Sequence, residues 1–131
     1  MWPSKLGDIM KKIIAFPCAG GSSDMYKDWK IKKEIIRVDY KGHWHRMDET
    51  MSNSNEELYN DVLELIMSRV SKEDELIIFG HSMGGIVGWH VANKLQKLQY
   101  KVSRVCISSC LPPHLFPGAR VAEIKNDIEL V

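Results

Sequence analysis

The arrangement in the sequence best suited to chemistry is a serine between two glycines, Gly-His-Ser-Met-Gly at residues 80–84. A hydrophobic run at residues 76–79 precedes it, and helix-forming residues follow. A serine at so tight a strand-turn-helix junction has a strained backbone and an exposed hydroxyl, as a nucleophile requires. The start of the helix also directs a free N–H group toward any oxyanion formed there. The pattern predicts that Ser82 is a nucleophile and that the Met83 amide is an oxyanion donor.

A second loop rich in small residues follows the first hydrophobic run of the chain. Residues 16–21 read Phe-Pro-Cys-Ala-Gly-Gly. Pro17 ends the run, while Gly20 and Gly21 let the backbone turn and leave N–H groups free to face a ligand. From the residues alone, two interpretations stay open: the loop completes an oxyanion hole, or it is a plain turn.

The elements that would position these loops alternate between strands and helices. Four apolar, near-continuous runs have the composition of strands buried on both faces: residues 13–16, 35–40, 76–79 and 105–108. Helical spacing of apolar residues occurs at 55–70 and 83–100, and a shorter helix is predicted at 23–33. The alternation predicts an α/β fold, a parallel four-stranded sheet with helices on both faces.

Composition excludes several classes of function. The chain has 131 residues, with 18 basic and 17 acidic side chains, so neither a nucleic-acid partner nor a membrane partner is indicated. Its 3 cysteines lack metal-ligand spacing, which argues against a zinc site and favours a reducing, cytoplasmic location. Residues 1–9 are predicted to be a disordered leader, and residues 10–131 to belong to one domain.

Together the two loops resemble motifs of the type II, or editing, thioesterases of nonribosomal peptide and polyketide synthesis, a branch of the α/β-hydrolase superfamily. Residues 16–29 resemble the opening motif of that family and residues 80–85 its nucleophile elbow. The resemblance extends from about residue 12 to Leu115. Cys18, Lys41, Trp44 and His90 stand where the family more often has other residues, which bears on substrate preference more than on reaction class.

The resemblance implies a thioester hydrolase that releases acyl groups from the phosphopantetheine arm of acyl or peptidyl carrier proteins, in antibiotic or siderophore biosynthesis. Ser82 is then the catalytic nucleophile, and the backbone N–H groups of Ala19 and Met83 form the oxyanion hole. No metal and no cofactor are implied. The implied strand order is second, first, third, fourth.

The resemblance also implies that the chain is incomplete. In α/β-hydrolases the triad residues follow in the order serine, acid, histidine, and the implied acid and histidine positions lie beyond Val131. A lid is predicted to begin at about residues 112–131. The chain is therefore expected to be the truncated N-terminal part of a hydrolase domain, inactive alone, with a separately encoded C-terminal half as one possible partner.

Histidines within the chain are weaker candidates for the missing base. His43, His45 and His114 are expected at the same sheet edge as Ser82, because the carboxyl ends of parallel strands share one edge. Of these, His114 is the best placed, although the resemblance includes a histidine there alongside a separate catalytic one. His81 is expected to turn away from Ser82, since side chains alternate along a strand.

Two other classes of function remain open. One is a generic serine carboxylesterase or lipase-like hydrolase that shares the same elbow. The other is a non-catalytic remnant that only binds a carrier protein. Preference between thioesters and oxygen esters discriminates the first from the thioesterase hypothesis.

Overall fold

Five strands form one sheet in the computed structural model, which describes residues 11–31, 33–108 and 127–130. The strands are β1 (Lys11–Phe16), β2 (Glu34–Arg37), β3 (Glu75–His81), β4 (Lys101–Ser108) and β5 (Asp127–Leu130). Their order across the sheet is β2-β1-β3-β4-β5, and each neighbouring pair is parallel. The predicted α/β class and the predicted order of the first four strands are confirmed.

The fifth strand differs from the sequence-based expectation. β5 pairs with β4, with Val105 opposite Ile128, so β4 is not the open edge that a four-stranded sheet would leave. β5 also lies within residues 112–131, where a lid was predicted to begin. The remainder of that segment, the leader at 1–9 and His114 lie outside the described residues.

Two helices cover one face of the sheet, α1 (Asn55–Met67) and α2 (Met83–Lys97). The N-terminus of α1 is capped, because the Ser54 side chain accepts a hydrogen bond from the Glu57 amide at 3.1 Å. The Glu57 carboxylate in turn accepts from the Asn53 amide at 2.7 Å. The N-terminus of α1 is thus satisfied by its own residues.

The helix predicted at residues 23–33 is wrong in extent. Only a 3-10 turn, Ser23–Tyr26, forms there. Tyr26 and Trp29 both make edge-to-face contacts with Phe79 of β3, at ring-centroid distances of 5.9 and 4.9 Å. These rings pack on the sheet, and the segment forms a short turn rather than the helix predicted for it.

The core lies between the sheet and the two helices. Along β3, buried Leu76, Ile78 and Gly80 alternate with partly exposed residues on the other face. Ile78 lies on the α2 side, near Gly88, whereas Phe79 contacts the turn at Ser23–Tyr26. No described helix is long and apolar enough to cross a membrane.

Candidate active site

Ser82 occupies the sharp turn between β3 and α2. Its φ of 56° and ψ of −122° lie in a region that residues other than glycine rarely adopt. The turn is fixed on both sides, since the Ser82 amide donates to the Ser108 carbonyl at 2.8 Å and the Ser82 carbonyl accepts from the Gly85 amide at 2.9 Å. The predicted strand-turn-helix setting and its backbone strain are confirmed.

The flanking glycines are required by close backbone contacts. A Cβ on Gly80 would overlap the carbonyl group of Gly84. A Cβ on Gly84 would overlap the Phe16 carbonyl and lie 2.7 Å from the Pro17 carbonyl oxygen. Glycine at residue 84 therefore allows the start of α2 to lie directly against the loop that follows β1.

Two buried tyrosines hold that loop by its carbonyl groups. The Tyr26 hydroxyl donates to the Phe16 carbonyl at 2.6 Å, and the Tyr40 hydroxyl donates to the Pro17 carbonyl at 2.8 Å. Burial raises the pKa of Tyr26 to about 12, and burial raises the pKa of Tyr40 further above its ordinary value. Both phenols stay protonated and act as donors that set the direction of the peptide groups after β1.

Ala19 and Met83 lie side by side in the wall of one cavity of about 280 Å³. Met83 is the first residue of α2, so its amide has no acceptor within the helix. The Ala19 amide makes no hydrogen bond to the described residues, while the following turn is closed by the Gly21 amide donating to the Cys18 carbonyl at 3.0 Å. Two residues of the same wall thus carry amides without an acceptor among the described residues, and an oxyanion hole needs two such donors.

His81 and His90 are held by contacts that do not involve Ser82. The His81 Nδ1 lies 3.1 Å from the Ser108 hydroxyl, as expected for a side chain turned away from its neighbour. His90 stacks on Tyr59, with ring centroids 4.7 Å apart and an interplanar angle of 17°. Neither ring is arranged as a base for the serine.

The histidines of the loop after β2 have other partners as well. His43 donates from Nδ1 to the Lys41 carbonyl at 2.9 Å, and His45 lies 3.3 Å from the Asp24 carboxylate. Within residues 11–31 and 33–108, no hydrogen bond joins the Ser82 hydroxyl to a histidine. The described chain thus presents a positioned serine and two open amides, without a base bonded to the serine.

The described residues hold no group of three histidine, cysteine or acidic side chains that could bind a metal ion. Cys18 of the oxyanion loop is partly buried, and its amide lies 3.4 Å from the Met25 sulfur. Its thiol has no histidine partner among the hydrogen bonds of the described part, so Ser82 is the better nucleophile candidate.

Comparison with known proteins decides the family. Residues 11–129 match the family model described as "Thioesterase domain". The chain belongs to the thioesterase domain family. Its relatives include the probable anguibactin biosynthesis thioesterase AngT of Vibrio anguillarum. This thioesterase-domain chain is 28% identical to AngT over 116 residues, which are 86% of this chain and 46% of AngT.

Solved structures agree on the fold. ClbQ from the colibactin NRPS/PKS pathway superposes with a TM-score of 0.76 at 19% identity, over 86% of this thioesterase-domain chain and 48% of ClbQ. RedJ, the thioesterase from the prodiginine biosynthetic pathway in Streptomyces coelicolor, gives 0.72 at 23% identity, over 84% and 42%. The fold is that of α/β-hydrolase thioesterases, and the chain spans about half the length of the relatives that it matches.

Proposed function

We propose that this chain supplies the nucleophile and the oxyanion hole of a thioesterase that removes acyl groups from the phosphopantetheine arm of carrier proteins. The observation that carries the proposal is the strained Ser82 at the elbow, beside a cavity whose wall includes Ala19 and Met83. Relatives named as thioesterases of nonribosomal peptide and polyketide pathways support the choice of an acyl thioester as substrate.

The chemistry follows from these groups. The Ser82 oxygen attacks the thioester carbonyl carbon, and the amides of Ala19 and Met83 hold the resulting oxyanion. The C–S bond then breaks, and the pantetheine thiol leaves with a proton. Water hydrolyses the acyl-serine ester and regenerates the hydroxyl.

Each step needs a base that first takes the serine proton and later activates water. In α/β-hydrolases, the acid and histidine follow the serine in the chain, on later strands. We therefore propose two partners for this chain: an acyl or peptidyl carrier protein, and a polypeptide segment that brings the acid and the histidine. The odd cysteine count favours a reducing compartment, so a cytoplasmic location is part of the same proposal.

Complementation tests the proposal. Alone, the 131-residue chain is expected to hydrolyse acyl-pantetheine thioesters little faster than its Ser82→Ala variant, because loss of triad function costs roughly 10⁴-fold to 10⁶-fold in turnover. Supplying the C-terminal half of a related thioesterase, in trans or as a fusion, is expected to restore a rate that depends on Ser82. Thiol release is the measurement.

Two results would contradict the proposal. Vigorous Ser82-dependent hydrolysis by the chain alone, abolished by His114→Ala, would identify His114 as the base. In the complemented protein, faster turnover of simple oxygen esters than of acyl-pantetheine thioesters would favour a general carboxylesterase instead.

A further inference from the structure

The cavity beside Ser82 has a cationic side chain in its wall. Besides Ala19, Gly20 and Met83, the wall includes Lys41 and Ser52. Lys41 follows β2 in the chain, and its partly buried side chain makes no ion pair with the described residues. A lysine so placed offers a positive charge close to the point of attack.

The described acidic residues near Lys41 form no ion pair with it, although its charge contributes, after the Arg46 hydrogen bond, to the lowered pKa of Glu49. Lys41 also borders a shallow depression whose wall includes Glu57, Asp61 and Glu64. The Asp61 carboxylate is bound by Arg46 at 2.7 and 2.9 Å, and Glu57 accepts from the Asn53 amide at 2.7 Å. Two of the three acids are thus already engaged, and none lies within 4.0 Å of the Lys41 ammonium.

A second polar group in the wall is unsatisfied. The Ser52 hydroxyl is buried and has no hydrogen-bond partner among the described residues. Such a group costs stability unless something supplies a partner.

The size and position of the cavity define which part of a substrate fits. Because Ala19 and Met83 would hold the thioester carbonyl oxygen, a group that enters the cavity is bonded close to that carbonyl. At about 280 Å³ the cavity lies just below the range of drug-sized ligand pockets, which suits a short group. The phosphate of the pantetheine arm is at the opposite end of the arm from the thioester.

We propose that this cavity binds the acyl group of the substrate and selects short acyl groups that carry a carboxylate, with Lys41 as the specificity-determining residue. The inference rests on the proposed thioesterase function and names its substrate class. The Lys41 ammonium pairs with the carboxylate. Met51, Leu58 and Met83 in the same wall contact the short aliphatic part.

Binding of stable analogues tests this inference without requiring turnover. The probes are amide analogues of succinyl-pantetheine and butyryl-pantetheine, in which nitrogen replaces the thioester sulfur, and butyryl-phosphopantetheine amide as the phosphate-bearing probe. Titration calorimetry on the full 131-residue chain gives Kd, and NMR shift changes at the Ala19 and Met83 amides locate the site.

The succinyl probe is expected to bind more tightly than the butyryl probe. Lys41→Met is expected to weaken succinyl binding roughly fivefold or more, with butyryl binding unchanged. Lys101→Met is the matched control and is expected to change neither Kd. This exposed lysine begins β4, at the end of the strand opposite to the end that lies near Ser82.

Three outcomes would overturn the inference. If Lys41→Met leaves the succinyl preference intact, Lys41 does not bind the carboxylate, although the thioesterase proposal stands. If only the phosphate-bearing probe responds to Lys41→Met, the lysine binds the pantetheine phosphate. If no probe binds the chain, the cavity is not an acyl site, and the complementation assay then decides separately whether the thioesterase function also fails.

Discussion

At the scale of single residues, the site consists of one strained serine, two open amides and two tyrosines that fix a loop. The sequence predicted Ser82, Met83 and Ala19, because local spacing encodes an elbow and a small-residue turn. It did not predict Tyr40, because the contact between its hydroxyl and the Pro17 carbonyl joins residues from two different strand ends. Local patterns report local geometry, whereas this contact depends on the completed sheet.

Backbone strain at Ser82 can be measured. A φ of 56° costs a non-glycine residue of the order of 1–3 kcal/mol. The Ser82→Gly variant is therefore expected to have a free energy of unfolding about 1 kcal/mol higher than that of the Ser82→Ala variant. This difference allows for the greater entropy of glycine in the unfolded chain. Urea denaturation of the two variants provides the comparison, and both lack the hydroxyl. Equal stability of the two variants would show that the elbow is unstrained.

Tyr26→Phe tests the anchoring of the oxyanion loop. The change leaves the buried Phe16 carbonyl without its donor and is expected to lower the free energy of unfolding by about 1–2 kcal/mol. Because the pKa of Tyr26 rises from 10.0 to about 12 on folding, its contribution is complete below pH 10 and is lost as pH rises toward about 12. Urea titrations across this range should show a shallower alkaline loss in the variant.

Tyr100→Phe is the control for this change, since the Tyr100 hydroxyl makes no hydrogen bond among the described residues and its ring lies beneath Lys72. It should leave both the stability at neutral pH and the alkaline slope close to those of the parent. An equal effect of the two substitutions would mean that the Phe16 contact contributes nothing.

At the scale of elements, the loop after β2 is tied to α1 by one arginine. Arg46 donates to Asp61 of α1, to Glu49 and to the Asp39 carbonyl, and its hydrogen bonds to Glu49 and then to Asp61 raise its pKa above the ordinary value. This bridge holds the loop in place as part of the cavity wall. The sequence predicted α1, whereas the ion pair was visible only in the structure.

Arg46→Met is expected to lower the free energy of unfolding by about 2 kcal/mol, because it leaves Asp61 partly buried without its partner. Glu49→Gln removes only the exposed arm of the same bridge, so little or no change in the free energy of unfolding is expected. Urea denaturation compares the two. A loss from Glu49→Gln as large as that from Arg46→Met would refute the assignment of Asp61 as the main anchor.

At the scale of the whole molecule, most of the sheet could be read from the sequence because buried parallel strands are continuous apolar runs. β5 could not, since Asp-Ile-Glu-Leu is short and half acidic and lies within the segment assigned to the start of a lid. The missed strand matters for solubility. It covers the β4 edge, and an open hydrophobic edge invites pairing with other chains.

Disrupting β5 is therefore expected to cause self-association. Ile128→Pro combined with Glu129→Pro removes two successive N–H groups, one of which faces β4 because N–H groups alternate in direction along a strand. Light scattering after size exclusion should show larger species than for the parent, whereas Glu129→Gln should not. A monodisperse double-proline variant of unchanged mass would show that β5 does not protect the edge.

The strand order also dictates when this molecule can fold. β1 lies between β2 and β3, and its Ile13 lies opposite Ile77 of β3. The ribosome therefore synthesises β3, the second neighbour of β1, long after β1 itself. At about 5–20 residues per second, a ribosome takes several seconds to deliver β3 after β1 has been synthesised. Throughout that interval an apolar strand has one unpaired edge, and pairing across such sequence separations is intrinsically slow. The position of β1 in the sheet therefore sets how long this strand needs protection by chaperones during synthesis.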